Sequence, residues 1–250
     1  MSLNAPILSP TTITTLVPTS QETPTQLHYK SQGTGPLLIL IPGGHGTSLL
    51  FTPLATSLSS YHRSSHLPHP PADSGLAIKT HTDDHAELIR HVRRTSNENA
   101  ILFGSSWAAY IAVNVLLWYP DLVGRVVLHE PIYVSVLPTV VQDSLRPKIL
   151  EMIRISKEKG TNAANRLLMP LTGSAADRRG MSMSDDPEAL AFPTDPAMIM
   201  SGVLQTPVLR VPGGHMGYVT RETEFAERLK EYLFGFGVLP YSNGGEVARL

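Results

Sequence analysis

Three short stretches hold the residue types that acyl chemistry needs. "FGSSWAAY" (103–110) sets two serines between an apolar run and a helix-like pattern, "PGGHMGY" (212–218) puts His215 in a glycine-rich loop, and "IPGGHG" (41–46) is a second such loop. A nucleophilic serine in a sharp strand-to-helix turn presents its oxygen at the mouth of a sheet. Residues two positions away pack against its backbone and must be small. Gly104-Ser105-Ser106-Trp107-Ala108 meets that demand at Ser106, whereas Ser105 would have Phe103 as a flank. The same turn leaves the Trp107 N–H at a helix N-terminus, where it can hold an oxyanion. Gly44 or His45 can turn a second N–H inward from the earlier loop. His215 stands where a general base for Ser106 belongs. The plainer alternative for the serines is a capped turn with no reaction.

A catalytic histidine needs a carboxylate to hold its tautomer and stabilise the imidazolium. Glu130 ends "RVVLHE" at the C-terminal end of a buried strand, where the active-site groups of an open parallel sheet gather. A structural carboxylate that caps a loop accounts for the same residue. Asp195, in "PTDP", is the reserve, and it also fits ordinary turn chemistry.

These residues need a scaffold of alternating strands and helices. Residues 11–17 and 26–30 are β-prone, with a turn at 33–36. "LLILI" (37–41), "AILFG" (100–104) and "GRVVLHEP" (124–131) are short continuous apolar runs, the mark of strands covered on both faces. "PVLRV" (207–211) predicts a last strand before the His215 loop. Helices are expected over 49–59, 80–94, 107–119 and 221–236, with Thr80 or Thr82 capping the second and Thr220 the last. The middle, 136–168, reads as helical; 170–195 reads as a loop, and 60–76 offers no strand. Strands alternating with helices predict an α/β domain with a mostly parallel sheet.

At 250 residues, 16% charged and net −1, the chain suits one domain and carries no electrostatic footprint for nucleic acid or an anionic membrane. The absence of cysteine excludes disulfides, thiolate metal sites and cysteine nucleophiles. "AAYIAVNVLLW" (108–118) is too short to span a bilayer, and the N-terminal stretch lacks the pattern of a secretory signal. A soluble intracellular protein is expected. "HTDDH" (81–85) places two histidines one helical turn apart beside two aspartates. Acids at a helix start explain it better than a metal, and neither metal nor cofactor is expected.

"LLILIPGGHGTSLLFTPLATSLSS", "FGSSWAAYIAVNVLLWYPDLVGRVVLHEP" and "VPGGHMGYVTRETEFAERL" resemble segments of small esterase-like α/β-hydrolases, and the likeness runs from about residue 26 to 236. It implies a three-layer sandwich with helices on both faces of the sheet, in one domain over 1–250. A helical cap falls over 132–200, a tail over 237–250, and strands are fewer than usual. It implies Ser106 as nucleophile, His215 as base, and Trp107 and Gly44 as backbone donors, with Glu130 in place of the family's usual, here missing, acid. The substrate it implies is an ester or thioester of a hydrophobic carboxylic acid, as in fungal secondary-metabolite or toxin pathways. A binding protein with an idle or impaired site, and a lyase or cyclase using the same pocket, are the alternatives. Ala248-Arg249-Leu250 resembles the tripeptide read by the peroxisomal import receptor; a cytoplasmic protein is the alternative.

Overall fold

The computed structural model describes residues 11–17, 25–33, 35–43, 48–58, 62–64, 77–93, 98–160, 163–164 and 195–235. Gly44, His45, the stretch 170–194 and the tail with Ala248, Arg249 and Leu250 lie outside them. The chain divides into two compact units, 1–131 and 132–250.

In the first unit, β1 (Thr11–Val17) and β2 (Thr25–Ser31) form an antiparallel hairpin in which Thr11 pairs with Ser31 and Val17 with Thr25. The main sheet is parallel. It contains β3 (Leu37–Ile41), β4 (His62–Ser64), β5 (Ala100–Ser105) and β6 (Val123–His129) in the order β4-β3-β5-β6. All five residues of β3 and all six of β5 are buried, as continuous apolar runs require when both faces are covered.

The pleat divides those side chains between two layers. Leu37, Ile39, Ile41 and Leu102 pack with Leu88, Ile89 and Val92 of α2 (Ala77–Arg93), and with Ile111, Ala112 and Val115 of α3 (Ala108–Trp118). On the opposite face Phe103 meets Phe51 edge-on, with ring centroids 5.9 Å apart, so the 3₁₀ turn Ser48–Phe51 and α1 (Thr52–Ser57) cover that side. Each fully buried Leu, Ile or Phe contributes roughly 1.5–3 kcal/mol.

Several expectations are corrected. The stretch 60–76 does contain a strand: β4 pairs in parallel with Leu37–Ile39. A three-residue strand on the sheet's edge is defined by its backbone pairing with one neighbour and needs no apolar run, so composition could not reveal it. Helix α2 starts at Ala77 rather than 80, and Thr82 caps nothing: it is fully buried, and its hydroxyl donates to the Ile78 carbonyl at 2.6 Å.

The second unit holds α4 (Thr139–Lys159), α5 (Asp195–Leu204), the single turn α6 (Gly217–Thr220) and α7 (Glu222–Gly235). Gly160, with φ 84°, ends α4 in a conformation that suits glycine. Phe225, Ala226, Leu229 and Leu233 form the buried stripe of α7. The strand expected at 207–211 does not form. Residues 206–211 make no ladder, Val208 is 43% exposed, and β6 is the last strand of the sheet among the described residues. An apolar run becomes a strand only where a neighbour supplies hydrogen-bond partners. Thr220 does not cap α7; it ends α6, with its hydroxyl donating to the Met216 carbonyl at 3.2 Å. No helix among the described residues is long and apolar enough to cross a membrane.

Candidate active site

Strand β5 stops at Ser105 and α3 begins at Ala108, so Ser106 and Trp107 make the whole connection. Ser106 has φ 58°, the left-handed region that costs an L-residue free energy and that few non-glycine residues occupy. The helix starts at once: the Ala109 N–H donates to the Ser106 carbonyl at 3.1 Å and the Tyr110 N–H to the Trp107 carbonyl at 3.0 Å. The Trp107 N–H therefore belongs to the first turn, whose amides have no partner within the helix.

Two glycines make room for this turn. A Cβ on Gly104 would stand 2.7 Å from the Ala108 carbonyl oxygen and 3.0 Å from the Ala109 Cα. A Cβ on Gly43, just beyond β3, would stand 2.9 Å from the Ser105 carbonyl oxygen and 3.1 Å from the Ser106 Cβ. Gly43 thus lies directly against the serine, and Gly44 and His45, which follow it, lie outside the described residues.

The end of β6 is tied to the same point. Ser105 pairs in register with His129, and the Ser106 N–H donates to the His129 carbonyl at 2.9 Å. The Ser105 hydroxyl and His129 Nδ1 are hydrogen-bonded at 3.0 Å, and the His129 ring stacks on Phe103 with centroids 5.8 Å apart. Glu130 follows, half-buried, with φ 40°. Ser106, Trp107 and Glu130 are therefore brought to one corner of the first unit. Sequence reading passed over His129 and weighed the buried Ser105 only as the weaker nucleophile. The available signal was that each is the last residue of an apolar run, although β6, expected to be covered on both faces, is half-buried from Gly124 to Leu128 at the edge of the sheet.

The "HTDDH" segment is not a solvated helix start. His81, Thr82, Asp83, Asp84 and His85 are all buried in the first half of α2. The edge of His81 meets the Trp107 ring at 5.4 Å and 90°. Asp83 accepts from Lys79 Nζ at 2.5 Å and from the Tyr119 hydroxyl at 2.7 Å. Burial, with the neighbouring Asp83 charge, pushes the Asp84 carboxyl up to about 6. Burial takes His85 down to about 4, against the opposing pull of the His81 carbonyl 2.6 Å from its Nδ1. Among the described residues no three acids or histidines form a group that could hold a metal.

His215 lies in the second unit and is buried, in a turn that glycines make possible. Gly213 has φ 82°, and its Cβ would stand 2.5 Å from the Gly217 Cα; a Cβ on Gly217 would stand 2.4 Å from the Pro212 carbonyl oxygen. The Gly217 N–H closes the turn on the Gly214 carbonyl at 2.9 Å. "PGGHMG" is thus a tight knot around His215. Asp195 is the first residue of α5 in this unit.

A parallel sheet with helices on both faces, whose middle strand feeds a left-handed serine into a helix, is the α/β-hydrolase fold, and the chain shares that fold with solved esterases and hydrolases. An uncharacterized hydrolase from Bacillus subtilis, YraK, is 26% identical over 83% of this chain and 92% of its own. A 2-(acetamidomethylene)succinate hydrolase from Mesorhizobium japonicum is 28% identical over 70% of this chain and 73% of its own. In fold the chain is similar to a thermophilic esterase from Thermogutta terrifontis, with a TM-score of 0.63 and 14% identity over 88% of this chain and 98% of that one. No family model matches the chain.

Proposed function

We propose that this hydrolase is an esterase-type serine hydrolase acting on an ester or thioester of a hydrophobic carboxylic acid. The observation that carries the reading is the strained Ser106, φ 58°, at the head of α3 with Gly43 and Gly104 packed around it. Strain at one residue persists only where its surroundings over-determine it, and such residues cluster at reacting centres. In this mechanism Ser106 Oγ attacks the substrate carbonyl while His215 takes the hydroxyl proton. The N–H groups of Trp107 and Gly44 hold the oxygen of the tetrahedral intermediate. Collapse breaks the bond to the alkoxide or thiolate, which leaves with the proton from His215. Water then attacks the acyl-serine by the same route in reverse. Glu130 holds the imidazole's tautomer and stabilises its charged form.

A fluorophosphonate probe tests the reading. Labelling that is lost in Ser106→Ala and His215→Ala supports it; a folded wild-type protein that never labels rejects it. The second reading, a small-molecule-binding protein with an idle elbow, draws on the 206–211 segment just before His215, which forms no strand. Binding of hydrophobic acids without labelling or turnover would favour it. A fungal secondary-metabolite or toxin pathway and a peroxisomal location extend the proposal, the second resting on Ala248-Arg249-Leu250 alone. Deleting that tripeptide from a tagged full chain should move it from puncta to the cytosol, and no movement rejects the location.

A further inference from the structure

Both hydrogen bonds that tie the serine turn to β6 converge on His129: its carbonyl accepts the Ser106 N–H at 2.9 Å, and its Nδ1 bonds the Ser105 hydroxyl at 3.0 Å. A serine and a histidine at this distance could be a nucleophile and its base. Burial of the hydroxyl argues against that: Ser105 is 0% exposed, whereas the neighbouring Ser106 keeps 7%, so a substrate carbonyl meets Ser106 and not Ser105. Packing does not explain the pair either. Burying a hydroxyl and an imidazole costs free energy that apolar side chains of similar size would avoid.

What the pair does is join two strand ends. The register sets Ser105 opposite His129, so the residue after each, Ser106 and Glu130, leaves its strand at the same level. Both are left-handed, at φ 58° and 40°. A left-handed non-glycine residue relaxes unless its neighbours hold it. His129 holds Ser106 through its carbonyl and is itself held by the Ser105 hydroxyl on one side of its ring and by Phe103 against the ring face. Phe103 is braced in turn by Phe51.

We infer that Ser105 and His129 are positioning residues that lock the strand end bearing Glu130 to the strand end bearing Ser106, keeping the proposed acid and nucleophile at a fixed spacing through turnover. This rests on the reading of Ser106 and Glu130 given above. A serine hydroxyl can donate to a neutral imidazole nitrogen or accept from a protonated one, so the bond survives either state of the ring. Loss of the pair therefore shows in kcat rather than as a new limb in the pH profile.

The experiment measures hydrolysis of p-nitrophenyl butyrate per site labelled by fluorophosphonate, which removes any loss due to unfolded protein. Ser105→Ala and His129→Leu should lower kcat about 10-fold or more while KM stays within about 2-fold. His129→Asn, whose amide oxygen takes the place of Nδ1 as an acceptor, should stay within about 3-fold of wild type. The double variant should be no worse than the worse single one, because both remove the same bond. Equal turnover per labelled site in His129→Asn and His129→Leu overturns the inference. If His129→Leu does not fold, Ser105→Ala against Ser105→Thr makes the same comparison, since threonine keeps the hydroxyl. Hydrolysis or labelling that survives Ser106→Ala fails the underlying reading instead, and that variant alone reports it.

Discussion

Ser106 and Glu130 are the first residues past two adjacent, in-register parallel strands, and both take a left-handed backbone, at φ 58° and 40°. Neither position is occupied by the residue that would adopt this conformation at least cost, which is glycine. Strain repeated at neighbouring strand ends marks the corner where the chain gives up stability for the placement of side chains.

Glu130 can be tested in both directions. Glu130→Gln keeps shape and hydrogen bonding but removes the charge, and should lower kcat by orders of magnitude with folding intact. Glu130→Gly should also lower kcat, yet raise stability by roughly 0.5–1 kcal/mol in denaturant unfolding, because glycine relieves the positive φ. Unchanged turnover in Glu130→Gln would remove the residue from the site.

Gly104→Ala should destabilise the protein by roughly 2–3 kcal/mol, since the new methyl would meet the backbone of α3. The nearest atoms, at 2.7 and 3.0 Å, belong to the main chain at Ala108 and Ala109 and cannot swing aside. Gly202→Ala is the matched control: nothing lies within 4 Å of its Cβ inside α5, so it should gain up to about 1 kcal/mol. Urea midpoints for the two variants should move in opposite directions.

The buried pair Asp84 and His85 should shape stability against pH with opposite signs. Asp84, pushed up to about 6, binds a proton more readily when folded, so its contribution is lost as pH rises from the ordinary aspartate value, about 3.9, through 6. His85, taken down to about 4, resists protonation when folded, so its contribution is lost as pH falls from about 6.5 through 4. The two slopes oppose each other between about pH 4 and 6 in the wild type. Asp84→Asn should remove one slope and leave a protein that loses stability more steeply on acidification. Parallel unfolding curves for wild type and Asp84→Asn across that window would contradict this.

Tyr119→Phe should cost about 1–2 kcal/mol, because it deletes a hydrogen bond to the ionised Asp83 without touching the Lys79 contact to the same carboxylate. The phenyl ring keeps its place beneath the Arg90 guanidinium, 5.0 Å from the ring centroid in the wild type. A double-mutant cycle with Asp83→Ala, which removes the acceptor, isolates the hydrogen bond from the packing.

The buried strands and the serine turn were legible because each carries its own evidence. "LLILI" and "AILFG" can be covered only on both faces, and Gly104 and Ala108 leave no doubt about which serine fits a crowded turn. What escaped the sequence depended on partners. His62–Ser64 is a strand only because Leu37–Ile39 lies beside it, and 207–211 is not one because no ladder receives it. The "HTDDH" helix carries the polarity of a surface, yet tertiary packing buries it and brings the Tyr119 hydroxyl to Asp83, beside the Lys79 of the same helix.

By itself the sequence determined the α/β order, the strand-to-helix serine turn and the histidine in its glycine knot, since these follow from hydrophobic period, side-chain size and backbone freedom along the chain. Only the tertiary structure decided that β5 and β6 end in register and that His129 ties them together. It also decided that Ser106 and Glu130 share the same left-handed strain. Register is a property of two strands at once, set by hydrogen bonds between residues 24 positions apart, and no local pattern encodes it.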